Sequence, residues 1–188
     1  MLNIVLTRID DRLIHGQVVT AWAKVTKGNR IIVVDDNVAN DDFMSKIIKM
    51  AAPASFKIGI HTIEQAAKIL KDENTNERVI VLVKTPVTVK ALMEKGVEIK
   101  ELDLGGMGAT KGRKQLYRNI SISDDEKECF KQLINDGVNV VVQIVPDDSP
   151  KDIQNFFYLM PYIEQHFYET TGEHVWENAP PPHASAAQ

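Results

Sequence analysis

The chain has 188 residues, 44% hydrophobic and 26% charged, with a net charge of −4. That size and mix suit one soluble globular domain with a substantial core. The acidic balance argues against nucleic acid as a main partner. A single cysteine, Cys129, excludes an internal disulfide, and no apolar run approaches the roughly 18 residues of a membrane span.

The amino terminus, MLNIVLTRIDD, lacks the basic and long apolar regions of a signal peptide, so a cytoplasmic location is expected. Its run 3–6 reads as a strand. The stretch TRIDDRLIHGQVVTAWAK (7–24) then crowds Arg8, Asp10, Asp11, Arg12 and His15 into one bend ahead of a helical pattern at 16–27. Further strands are expected at 30–35, 55–61, 78–83, 98–104, 118–123 and 138–145. Helices are expected at 40–52, 62–73, 86–96 and 124–137. Pro86 suits a first helical turn with Thr85 as its cap. Ser123 followed by Asp124, Asp125 and Glu126 makes a second helix start, and Gly96 and Gly137 are helix stops. Several strands are apolar on both faces. This alternation predicts an α/β fold: an open, mainly parallel β-sheet of about seven strands with helices on both faces.

From residue 153 the character changes. The segment 155–188 is rich in aromatics, and 156–168 has the pattern of an apolar helix interrupted by Pro161. After about Asn178 the Pro/Ala/Ser composition predicts disorder. The expected organisation is a domain over 1–152 and an aromatic-rich, partly disordered C-terminal extension over 153–188.

Ligands of open parallel sheets gather where strands end and helices begin, and His15 falls at such a place. A helix start favours an anion. A neutral imidazole is a nucleophile whose second nitrogen a carboxylate can hold. An arginine fork matches two phosphoryl oxygens. His15 as acceptor, Asp10 or Asp11 as its orienter, and Arg8 and Arg12 as phosphoryl clamps therefore form a coherent set for phosphoryl transfer to histidine. The plainer alternative is a solvated helix start, with the acids capping and the arginines pairing with them.

A second loop, LGGMGATKGRKQLYR (104–118), combines four glycines with Lys111, Arg113, Lys114 and Arg118. It fails both the P-loop and the dinucleotide spacing. What remains is a backbone able to approach a ligand closely and a basic surface for an anionic partner. Elsewhere, His61 reads as a packed or rim residue, and His166, His174 and His183 lack metal-ligand spacing. The acids of VVDDNVANDD (33–42) could hold a metal, but Asp35 or Asp36 at the sheet edge and Asn40 as a helix cap is the simpler assignment. Cys129 reads as a small buried apolar residue. No cofactor or metal is expected.

The stretch RIDDRLIHGQV resembles the active-site signature of the IIB subunit of the sugar phosphotransferase system, mannose/fructose/sorbose family. The segments VDDNVANDDFMSKIIKMAAP (34–53), VLVKTP (81–86), LDLGGM (102–107) and VQIVPDD (142–148) agree in order. The resemblance covers about residues 1–152. It implies a phosphohistidine carrier that accepts a phosphoryl group on His15, at Nδ1, from a IIA protein or domain. The carrier passes the group to a sugar entering through the membrane subunits IIC and IID, at whose cytoplasmic face it associates. Arg8, Asp10 and Arg12 match the flanking signature. The chain opens on the IIB-like strand, so no IIA segment is expected ahead of it. Lys111, Arg113 and Lys114 are expected to border His15 on a docking face shared by successive partners. A regulatory module with the same fold is the alternative function, and a small-molecule enzyme using His15 as general base is a third. The identity of the sugar and any homo-oligomeric state are left open by the sequence.

Overall fold

Strands that are apolar on both faces need cover on both sides, and the chain provides it with two helical layers. The structure is a computed structural model that describes residues 2–72 and 76–158. In chain order the elements are β1 (Asn3–Asp10), α1 (Gly16–Thr26), β2 (Arg30–Val34), α2 (Asp36–Ala39), α3 (Asp42–Ala51), β3 (Lys57–His61) and α4 (Ile63–Asp72). There follow β4 (Arg78–Val83), α5 (Pro86–Glu94), β5 (Glu101–Gly106), β6 (Lys114–Tyr117), β7 (Ile120–Ile122), α6 (Asp124–Asn135), β8 (Asn139–Val142) and β9 (Lys151–Asp152).

The main sheet has seven strands in the order β3-β2-β4-β1-β5-β8-β9. It is parallel except for the edge pair β8–β9. Strand periodicity of two sorts the core. Ile32, Val34, Val81, Val83, Leu102 and Leu104 meet α4, α5 and α6 on one face. Ile31, Val33, Ile80 and Leu82 meet Val19 and Ala23 of α1 and Ile48 of α3 on the other. Phe130 and Leu133 of α6 are fully buried; truncating such a ring costs about 3–5 kcal/mol.

Mainly parallel α/β architecture is as expected, but several elements differ in detail. The run expected to end at residue 6 continues to Asp10, carrying Arg8 and Asp10 into the sheet. Charges at consecutive odd or even strand positions look like a bend in sequence because burial of charge is costly. Here a paired network offsets that cost. The expected strand 118–123 is half of a separate β6–β7 hairpin, and β9 is the seventh strand of the main sheet instead. The expected helix 40–52 is α3, and the short α2 ahead of it was not expected. Asp41, not Asn40, caps α3, because its carboxylate accepts from the N–H groups of Phe43 and Met44 at 3.0 Å each. Asn40 instead closes α2, donating to the Asp36 carbonyl at 2.8 Å. Thr85 sits at the N-cap of α5 without a capping bond, whereas Ser123 and Glu126 form a reciprocal capping box. Cys129 is buried as expected.

The expected boundary falls after residue 152. Ile153 and Phe156 are buried in the larger core cluster, and the Phe156 ring lies 5.1 Å from that of Tyr117. The expected helix 156–168 and the expected disorder of the tail lie outside the described residues beyond 158. Among the described residues no helix is long and apolar enough to cross a membrane.

Candidate functional site

β1 lies at a switch in the direction of the fold. Its chain leaves for α1 on one face, while its neighbours β4 and β5 lead to α5 and α6 on the other. A crevice at the carboxyl ends of the strands follows from that divergence. The bend Asp11–His15 occupies it.

The floor of the bend is a buried charge network. Arg8 is 1% exposed, and its guanidinium satisfies four acceptors. Nη1 donates to Asp103 Oδ2 and to the Gln143 carbonyl at 2.8 Å. Nη2 donates to Asp10 at 3.3 Å and to the Ile144 carbonyl at 2.9 Å. Trp22 of α1 packs its ring 5.3 Å from the guanidinium carbon, a cation–π contact. Arg8 was expected to clamp a phosphoryl group. With every Nη hydrogen given to protein acceptors and almost no exposure, it is a brace between β1, β5 and the chain after β8. Sequence reasoning missed Asp103, Gln143 and Trp22 as members of this network. The signal for Asp103 was an acid set between two leucines in the strand ELDLGG.

Asp10 is also 1% exposed and was expected to orient His15. Its two oxygens instead receive Arg12 Nε at 3.0 Å and Arg12 Nη2 at 3.1 Å, a two-point grip on one edge of the fork. The Asp10 bond raises the pKa of Arg12 further. Arg12 keeps Nη1 without a partner among the described residues, and its side chain is 45% exposed. Asp10 therefore orients Arg12, the residue that faces solvent. Burial pushes the carboxyl of Asp103 up to about 6, against the opposing pull of Arg8.

The bend itself is tight. The Leu13 N–H donates to the Asp10 carbonyl at 2.8 Å, and Leu13 takes a left-handed φ of 57°. Such backbone is costly for a branched residue. It drives Leu13 and Ile14 into the core and leaves His15 exposed. His15 is the N-cap residue of α1 in extended conformation, and its ring makes no hydrogen bond among the described residues. The first ladder bond of α1 runs from Val19 N–H to the His15 carbonyl at 3.0 Å. The N–H groups of the first turn ahead of it have no intrahelical acceptor by helix geometry.

The glycines of the second loop serve the network. A β-carbon on Gly105 would lie 1.8 Å from the Arg8 guanidinium carbon, and one on Gly106 would lie 3.1 Å from Asp10 Oδ1. The Gly108 N–H donates to Asp11 Oδ2 at 2.6 Å. Close backbone approach was expected for a ligand; the partner found is the charged wall of the site. Arg113 was expected on a docking face. It is instead held by Glu126 through Nε at 2.9 Å and donates Nη1 to the Gly108 carbonyl at 3.0 Å. Its side chain is 11% exposed, and a paired, largely covered guanidinium is a tether between the loop and the start of α6. Lys111 is exposed on the turn, and Lys114 is exposed at the start of β6.

The acids after β2 are likewise engaged. Asp35 caps α2 and pairs with Lys84 at 2.9 Å, and Asp36 accepts from the Ile63 N–H at 2.7 Å. His61 ends β3 half-buried, opposite Val34. No group of three metal-binding side chains comes together among the described residues.

The family described as PTS system sorbose subfamily IIB component matches residues 4–166. The N-acetylgalactosamine-specific phosphotransferase enzyme IIB component 1 of Escherichia coli is 36% identical over 152 residues, which is 80% of this chain and 96% of that one. The IIBSor domain of the sorbose permease from Klebsiella pneumoniae superimposes with a TM-score of 0.81 at 34% identity, covering 85% of this chain and 98% of the other. The mannose-specific EIIAB component of Escherichia coli is 38% identical over 146 residues, which are 76% of this chain and 45% of that longer protein.

Proposed function

Because this chain belongs to the sorbose subfamily of IIB components of the sugar phosphotransferase system, we propose that His15 is its phosphoryl acceptor, through Nδ1. The observation that carries this reading is one arrangement. An exposed histidine with an unengaged ring caps α1 at the switch of the sheet, and Arg12 stands three residues before it with one edge fixed by Asp10 and one nitrogen free.

The transfer balances as an exchange of one N–P bond for another. The lone pair of the His15 ring nitrogen attacks phosphorus. The N–P bond of a phosphohistidine on a IIA protein or domain breaks, and its electron pair returns to that ring. Arg12 and the N–H groups at the start of α1 supply positive charge for the phosphoryl oxygens. Arg8 and Asp10 act from beneath by fixing Arg12. In the second step the sugar hydroxyl attacks phosphorus, His15 leaves as imidazole, and the hydroxyl proton is released. The EIIAB relative, which carries an EIIA part in its name, supports a IIA partner. The family supports IIC and IID membrane subunits as the route of the sugar, and hence work at the cytoplasmic side.

The test is phosphorylation of the purified chain by phosphoenolpyruvate, the general phosphotransferase proteins and a panel of IIA proteins, beside His15→Ala. An acid-labile phosphoryl group on the wild type, absent from the variant, is the expected result. No label from any donor would turn the assignment toward a non-catalytic module of the same fold.

A further inference from the structure

Helix α3 carries an apolar face that nothing in the chain covers among the described residues. Of its ten residues only Ile48 is buried. Phe43 is 71% exposed and Met50 84%, and Met44 and Ile47 are exposed as well. Single exposed apolar residues are ordinary. These four recur at i, i+1, i+4 and i+7, so they form one continuous stripe about 10 Å long, the kind of patch that marks interaction sites.

The stripe ends at the acceptor. A β-carbon on Gly16 would lie 3.5 Å from the Ala51 carbonyl. The residue after His15 therefore touches the residue after Met50. A standard interface covers about 800 Å² per partner, a disc of roughly 16 Å radius. A protein whose reacting atom rests on His15 thus covers the stripe too. Lys46 and Lys49 are exposed beside it, and Arg12 is half-exposed at the His15 end. We propose that the α3 stripe Phe43–Met44–Ile47–Met50 is the docking surface for the phosphorylated IIA donor, a protein presenting an apolar patch with an acidic rim. A second copy of this chain fits less well, because a two-fold contact would set the same lysines against themselves. Two methionines suit a surface that adapts to its partner. The proposal rests on His15 as acceptor and adds where the donor sits.

The test uses the full chain and the double variant Ile47→Ser/Met50→Ser, whose side chains are exposed, so the fold is kept. Two donors are compared: phosphoramidate, which is too small to dock, and the phosphorylated IIA protein that labels the wild type with the lowest KM. The expected result is unchanged labelling by phosphoramidate, a KM for the IIA donor raised tenfold or more, and kcat within twofold. Met50→Leu alone should retain the wild-type KM. An unchanged KM in the double variant overturns the proposal. So does loss of a wild-type dimer without a change in KM, which would assign the stripe to self-association. Labelling of the wild type by phosphoramidate but by no IIA protein overturns the docking surface alone. Labelling by neither overturns His15 as acceptor.

Discussion

The guanidinium of Arg8 lies against Gly105 so closely that a β-carbon there would sit 1.8 Å from the guanidinium carbon. Arg8 cannot swing away, because Asp10, Asp103 and the carbonyls of Gln143 and Ile144 hold all four Nη hydrogens. Gly105→Ala is therefore expected to displace Arg8 and orphan buried charge. Breaking such a pair costs about 3–5 kcal/mol. Urea unfolding would read it as a lowered midpoint at unchanged m. Gly16→Ala is the control, since its β-carbon would meet only an ordinary contact at 3.5 Å. A Gly105→Ala protein as stable as the wild type would mean that Arg8 does not occupy this position.

Asp103 predicts a pH dependence of stability. Its folded carboxyl is pushed up to about 6 from an ordinary 3.8 by burial, with Arg8 pulling the other way. Between those values the folded state binds the proton more readily than the unfolded state. Stability from this group is therefore fully present below about pH 4 and is lost as pH rises through about 6, by an amount on the order of 2–3 kcal/mol. Asp103→Asn should remove that slope. Chemical unfolding of both proteins from pH 4 to 7 makes the comparison. A wild type that gains stability relative to the variant over this window would show the Arg8 pull to be the stronger effect.

How much of this was legible beforehand follows from the physics of each element. Apolar strands and well-capped helices speak through local pattern, so the parallel α/β sheet and the Ser123–Glu126 capping box could be read directly. The histidine at the end of β1 was legible for the same reason, since position in an open sheet implies the site. The division of labour around it was not. Arg8 and Arg12 look alike in sequence, and only pairing of β1 with β5, a contact across 95 residues, buries one and leaves the other at the surface. The glycines of LGGMG were visible as a close-approach signal, but what approaches them is a side chain from β1.

Lys111 and Arg113 should behave oppositely. Arg113→Glu would set a second carboxylate against Glu126, whose oxygens also serve the capping box at Ser123. A loss of about 2–4 kcal/mol is expected from a broken, mostly covered ion pair and a weakened cap. Lys111→Glu alters an exposed turn and should leave stability within about 0.5 kcal/mol. If Lys111 steers the donor, the Lys111→Glu variant should accept phosphoryl more slowly at low salt, and its rate should depend less on salt. Thermal unfolding beside transfer rates at two ionic strengths separates the two residues. An Arg113→Glu protein of full stability would release Arg113 from its tether and return it to the docking face.

Arg12→Lys tests the fork directly. Lysine keeps the positive charge but offers one nitrogen where Arg12 gives Asp10 two and keeps a third for solvent. Arg12 is nearly half-exposed and Asp10 retains Arg8, so the stability cost should stay at about 1 kcal/mol or less. The cost to transfer should be larger, because a hydrogen bond to a phosphoryl group that is made in the transition state is lost or misaimed. A fall in kcat of about 10–100-fold, equivalent to about 1.4–2.7 kcal/mol, is expected with little change in the KM for the IIA donor. Rapid-quench measurement of His15 labelling over a range of donor concentrations distinguishes the two parameters. A variant that changes KM alone would make Arg12 a docking residue and leave the phosphoryl oxygens to the amino-terminal N–H groups of α1.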